Sequence, residues 1–134
     1  MLKILLPLLM LMSFSAFAQD TNQSCRQVYN DGYEKLRTLV VDFNEGYLGK
    51  VGFASQVVAL DTEIAAVRGV CLVVEEPRNK ECVNAYKKRY KALRKEVKVS
   101  SVVLGGQTEV KEDILESISN EFSNIYYRLK CGDL

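Results

Sequence analysis

The cysteines have the most chemistry to offer in this chain. There are four, Cys25, Cys71, Cys82 and Cys131, and no histidine. A catalytic redox pair normally has its two thiols two residues apart at an exposed helix start. A zinc site needs four sulfurs around one ion and usually takes them from close C-x-x-C pairs, which this chain lacks. We therefore interpret the cysteines as two structural disulfides, with a zinc site as the alternative.

The lack of histidine also limits catalysis. Serine and cysteine triads and the common zinc and haem ligations rely on imidazole. Asp61 borders an apolar helical stripe, where a buried carboxylate could serve as an acid or base. No spacing places a second carboxylate or a nucleophile beside it. We therefore expect a protein that is not an enzyme and holds no cofactor, with a carboxylate-based enzyme as the alternative.

Positive charge is concentrated between residues 78 and 98. This segment has nine basic and two acidic residues, a net charge of +7. Helical spacing predicts a basic face made of Lys80, Lys87, Tyr90, Lys91, Arg94 and Lys98. Such a face could bind an acidic protein or an anionic envelope surface, although acidic residues of the following helix would match part of its charge.

Residues 1–18 read as a secretory signal peptide, because one lysine precedes a long apolar run that ends in Ala-Phe-Ala. Its removal leaves residues 19–134 as a single helical domain without a transmembrane segment. That domain has equal numbers of acidic and basic residues, so we expect no nucleic-acid partner. The expected location is outside the cytoplasm: the periplasm in a bacterium, otherwise the secreted fraction.

Apolar residues recur in steps of three and four along most of this domain. They predict four helices: the first capped by Ser24 and ending near Glu45, the second from Val51 to Glu75, the third from Asn79 to Leu104, and the fourth starting at Thr108. Pro77 is the expected stop of the second helix and Gly105 that of the third. The second helix is apolar on its flanks as well, so it should be the most buried.

Short connections between the predicted helices make sequential neighbours antiparallel, which indicates an all-α, up-down-up-down four-helix bundle stapled by disulfides. This topology brings the four cysteines to one end of the bundle. We predict Cys71–Cys82 across the central hairpin and Cys25–Cys131 between the termini, while the other pairings stay open. The expected role is binding another macromolecule, as an inhibitor, adaptor or envelope-associated factor. A carrier of a small apolar ligand in the bundle core is the alternative.

Overall fold

The computed structural model describes residues 24–72, 79–98 and 110–131. They form four helices: α1 (Cys25–Asn44), α2 (Lys50–Val67), α3 (Asn79–Glu96) and α4 (Glu112–Leu129). The helices make an antiparallel up-down-up-down bundle, which confirms the predicted fold class. In these three ranges no strand is present, apart from an isolated bridge between Ser24 and Leu72. None of the described helices is long and apolar enough to cross a membrane.

Helix α1 begins and ends where its sequence signals predict. The Ser24 hydroxyl accepts a hydrogen bond from the Gln27 amide, which satisfies one of the free N–H groups of the first turn. At the other end Gly46 has a φ of 82°, a left-handed conformation that glycine adopts without strain. The amides of Gly46 and Tyr47 donate back to the carbonyls of Phe43 and Asp42, the double hydrogen bond of a Schellman motif.

Helix α2 is shorter than predicted. It ends at Val67 instead of Glu75, and residues 68–70 form a turn. The chain leaves the helix here because Cys71 bonds to Cys25 and the Cys25 amide donates to the Leu72 carbonyl. A helix continued through Cys71 would lack this main-chain contact. The expected stop at Pro77 therefore came too late, and Pro77 itself lies outside the described residues.

The boundary between α3 and α4 agrees with the prediction only in part. Helix α3 starts at Asn79 as predicted but ends at Glu96, so Val97 and Lys98 are already outside it. Three parts of the prediction lie outside the described residues: the rest of the third helix up to Leu104, its end at Gly105 and the start of the fourth helix at Thr108. Within them, α4 begins at Glu112, and its early acidic residues lie at the helix end that favours negative charge.

The core forms where α1 packs against both α2 and α3, and α4 packs against α3. Its most deeply buried side chains are Leu36, Val40, Phe53, Val57 and Leu93. A glycine makes this close packing possible. A methyl group at Gly32 would lie 2.6 Å from Ile64 Cδ1 and 3.5 Å from Tyr90 Cδ2, so a larger residue there would force the Ile64 side chain to shift.

Two disulfides are present, but their pairing differs from the prediction. Cys25 is bonded to Cys71 and Cys82 to Cys131, so the predicted Cys71–Cys82 and Cys25–Cys131 bonds are wrong. Each bond joins the start of one helix to the end of the next and closes one antiparallel hairpin. All four sulfurs are used, which overturns the zinc alternative. Two disulfides indicate folding in an oxidising compartment.

Candidate binding surface

Helix α3 separates its apolar and basic residues onto opposite sides. Its inward residues are Cys82, Tyr86, Tyr90, Leu93 and, just beyond the helix, Val97, all buried. On the outer side Lys80, Lys91 and Lys98 are exposed and Lys87 is half-buried. None of these four lysines forms an ion pair with a described residue. We call them the lysine strip.

The structure separates Tyr90 and Arg94 from the rest of the predicted basic face. Tyr90 is only 6% exposed, and its hydroxyl donates to Asp61 Oδ1 at 3.0 Å. The Arg94 guanidinium donates three further hydrogen bonds to the same carboxylate, from Nε to Oδ1 at 3.0 Å and to Oδ2 at 3.1 Å, and from Nη2 to Oδ2 at 2.9 Å. Both side chains are thus occupied within the protein. The basic surface that remains open to a partner consists of lysines.

This cluster of Asp61, Tyr90 and Arg94 links α2 to α3. Arg94 also donates from Nη1 to the Val97 carbonyl at 2.7 Å, which ties the end of α3 into the cluster. Burial raises the pKa of the Tyr90 hydroxyl well above its ordinary value, and the charge of Asp61 and its hydrogen bond act in the same direction. The hydrogen bonds to Asp61 raise the pKa of Arg94. The carboxylate proposed for acid–base chemistry is therefore engaged in a structural contact.

We expect the protein to lose stability in alkaline solution through Tyr90. Because the pKa of Tyr90 is higher in the folded than in the unfolded chain, its stabilising contribution is complete below about pH 10 and falls as pH rises toward the folded value. Urea unfolding on either side of pH 10 should show this fall in the wild type and a smaller one in Tyr90→Phe. An equal fall in Tyr90→Phe and in the control Tyr127→Phe, whose ring is exposed, would contradict the assignment.

A second cluster surrounds Arg89, which sequence reasoning counted only as part of the basic run. Its guanidinium carbon lies 4.0 Å from the centre of the Tyr33 ring and 3.9 Å from that of Phe122. Nη2 donates to Asn30 Oδ1 at 2.7 Å, whereas Nε is buried without a partner among the described residues. Burial lowers the pKa of Arg89. This cation therefore connects α1, α3 and α4 and is not open to a partner.

The predicted charge matching between α3 and α4 is limited. Lys88 Nζ lies 3.1 Å from Glu121 Oε1, the one ion pair between these helices in the described ranges, and both side chains are well exposed. A pair this exposed contributes only about 0–1 kcal/mol. Lys95 borders a groove that is also lined by Glu96 and Asp113, so its charge is partly offset there.

The described residues line spaces of very different size. The space between α3 and α4 beside Arg89 and Phe122 has a volume of about 20 Å³, enough for one water. Larger concave regions lie at the surface between α1 and α2, where Lys35 bonds to Glu63 across the groove at 2.8 Å. The carrier alternative needs a sizeable space in the core, and it stays a prediction.

Comparison with known proteins finds no relative of this chain. No family model matches the chain, and no curated protein or solved structure is significantly similar to it.

Proposed function

We propose that this is an exported, non-enzymatic binding protein that uses the lysine strip of α3 to dock on an acidic surface of another protein. The observation that carries the proposal is the set of four lysines on one side of α3, none of which forms an ion pair with a described residue, in a hairpin that the Cys82–Cys131 disulfide closes. The disulfides and the predicted signal peptide support a location outside the cytoplasm, which in a bacterium is the periplasm.

The makeup of the strip favours an acidic protein over an anionic envelope surface. None of the large exposed hydrophobic residues of the described chain lies on α3, so the strip has no apolar side chain to insert between lipids. A lysine near an anionic membrane contributes about 1 kcal/mol, so four of them give a dissociation constant near the millimolar range. Carboxylates of a protein, spaced to match the lysines, would add directed hydrogen bonds.

Binding to an acidic model peptide tests this proposal. We expect an oligoglutamate peptide to bind the folded protein, and we expect this binding to weaken as salt is added. The peptide should bind the variant Lys87→Glu/Lys91→Glu at least about tenfold more weakly than the wild type. These two lysines are one helical turn apart, so the substitution reverses the centre of the strip. Fluorescence anisotropy of a labelled peptide gives both affinities.

The control variant is Arg37→Glu/Arg128→Glu, which changes the net charge equally at two exposed sites on α1 and α4. It should retain most of the affinity. Equal losses in the two variants would show that net charge alone drives binding and would refute a defined surface. Tighter binding to vesicles rich in anionic phospholipid than to the peptide would refute the protein partner in favour of the envelope surface.

A further inference from the structure

The two disulfides differ in how far the protein covers them. Cys82 and Cys131 are 3% and 5% exposed, so both ends of their bond are buried. The other bond has one buried end, Cys25 at 5%, and one half-buried end, Cys71. Thiol–disulfide exchange begins with the attack of a thiolate on one sulfur of a disulfide, so it depends on access to that sulfur. Cys71 is therefore the cysteine that a thiol from outside can reach in the folded protein.

The chain on both sides of Cys71 is also open to solvent. The turn before it, residues 68–70, is exposed, and so is Leu72 after it. Among the described residues, one main-chain hydrogen bond joins this segment to α1, from the Cys25 amide to the Leu72 carbonyl at 3.0 Å. A partner can therefore contact the chain around Cys71 at the surface of the folded protein.

The two ends of the Cys25–Cys71 bond differ as leaving groups. Cys25 is the first residue of α1, where the free N–H groups of the first turn and the helix dipole stabilise a negative charge such as that of a thiolate. Cys71 follows the C-terminal end of α2, where the dipole favours positive charge instead. A thiolate that is better stabilised leaves faster. Attack on Cys71, which expels Cys25, is therefore favoured over attack on Cys25.

The Cys82–Cys131 bond does not combine access with a good leaving group. Cys82 lies in the first turn of α3, where a thiolate is favoured, but its expulsion requires attack on the buried Cys131. Attack on Cys82 would instead expel Cys131, which follows the C-terminal end of α4. Both routes are slow in the folded protein.

We infer that the Cys25–Cys71 bond is an exchange site for a dithiol and that Cys71 is the sulfur attacked. A thiolate of the dithiol bonds to Cys71 Sγ while the Cys25–Cys71 bond breaks, and Cys25 leaves as a thiolate. The second thiolate of the dithiol then attacks the dithiol's own sulfur in this mixed disulfide, which closes the dithiol's disulfide and releases Cys71. Two electrons pass to this chain, and the two protons that the dithiol loses balance those that Cys25 and Cys71 take up.

The partner class that fits this chemistry is an exported dithiol oxidoreductase. Exchange with it would free the end of α2 from the start of α1, because the bond closes that hairpin. The lysine strip lies on the other hairpin, which the Cys82–Cys131 bond keeps closed. The exchange site is thus separate from the proposed docking surface.

Timed reduction of the native protein tests the inference. The oxidised chain is incubated with dithiothreitol, new thiols are blocked with N-ethylmaleimide at intervals, and the blocked positions are mapped by mass spectrometry. Cys25 and Cys71 should be blocked at least about tenfold faster than Cys82 and Cys131. In concentrated urea this difference should disappear, because unfolding exposes both bonds. Equal rates in the native protein, faster blocking of Cys82 and Cys131, or a preference that persists in urea would overturn the inference.

Glutathione, a monothiol, identifies the sulfur attacked. Brief reaction followed by N-ethylmaleimide should give chains that carry glutathione on Cys71 and the maleimide on Cys25. Chains that mainly carry glutathione on Cys25 would overturn the assignment of Cys71.

A matched pair of variants tests the leaving group. Gln27 is an exposed residue in the first turn of α1. Gln27→Glu disfavours a Cys25 thiolate although an acidic residue stabilises this end of a helix, so reduction should slow by about threefold, and Gln27→Lys should accelerate it. Equal rates in the two variants, or the reverse order, would overturn the role of Cys25. No acidic peptide is present in these measurements, so their failure would leave the proposed role of the lysine strip standing.

Discussion

Removing the Cys82–Cys131 disulfide is expected to lower the free energy of unfolding by about 4 kcal/mol. The bond closes a loop between residues 49 positions apart, and opening it returns that conformational freedom to the unfolded chain. Alanine is the suitable replacement, because Cys82 and Cys131 are only 3% and 5% exposed and a serine hydroxyl would be buried. Urea unfolding of Cys82→Ala/Cys131→Ala measures the loss.

The double variant Cys25→Ala/Cys71→Ala serves as the matched comparison. The Cys25–Cys71 bond spans 46 positions, so chain entropy alone predicts that its removal lowers the free energy of unfolding by about the same amount. Non-reducing peptide mapping of the wild type checks the pairing itself. A crosslinked peptide that joins Cys25 to Cys131 would contradict the structure.

Replacing Arg89 with alanine is expected to lower the free energy of unfolding by about 3 kcal/mol. The guanidinium lies between the rings of Tyr33 and Phe122, where cation–π contacts shielded from water contribute about 2 kcal/mol. Alanine removes these contacts and leaves a cavity between three helices. Urea unfolding compared with the wild type gives the size of the effect.

Arg89→Met separates the roles of charge and volume. Methionine fills much of the space and removes a partly buried cation that has no ion pair among the described residues, so we expect it to cost about 1 kcal/mol or less. If Arg89→Met lowered the free energy of unfolding as much as Arg89→Ala does, the charge itself would be what holds the helices together. It would contradict the volume argument.

The periodic residues were a good guide to the helices and their order. The residues that recur in steps of three and four include Tyr29, Leu36 and Leu93, and all three are buried. Local signals also worked, as the Ser24 cap and the Gly46 turn show. These features depend on neighbouring residues, and a single sequence contains that information.

Errors arose where distant residues decide the outcome. The end of α2 depends on the contact of Cys71 and Leu72 with the start of α1, which lies about fifty positions away in the chain. The disulfide pairing failed for a related reason: placing four cysteines at one end of a bundle does not determine which two approach each other.

The predicted basic face was also incomplete because contacts between distant residues decide which of its side chains are exposed. Helical spacing places Arg94 beside the lysines, but its partner Asp61 lies on another helix and removes it from the surface. The aromatic contacts of Arg89 likewise come from α1 and α4, so only the assembled bundle distinguishes this partly buried cation from the exposed ones.

The pairing of the cysteines has a mechanical consequence. A pulling force between residues 24 and 131 would pass through both sulfur bridges and would stretch only the chain between Cys71 and Cys82. At full extension that stretch measures about 40 Å, whereas the reduced chain between the same two ends could reach about 370 Å. The helices of the oxidised protein therefore carry almost no tension, and the molecule would behave as a short, nearly inextensible tether.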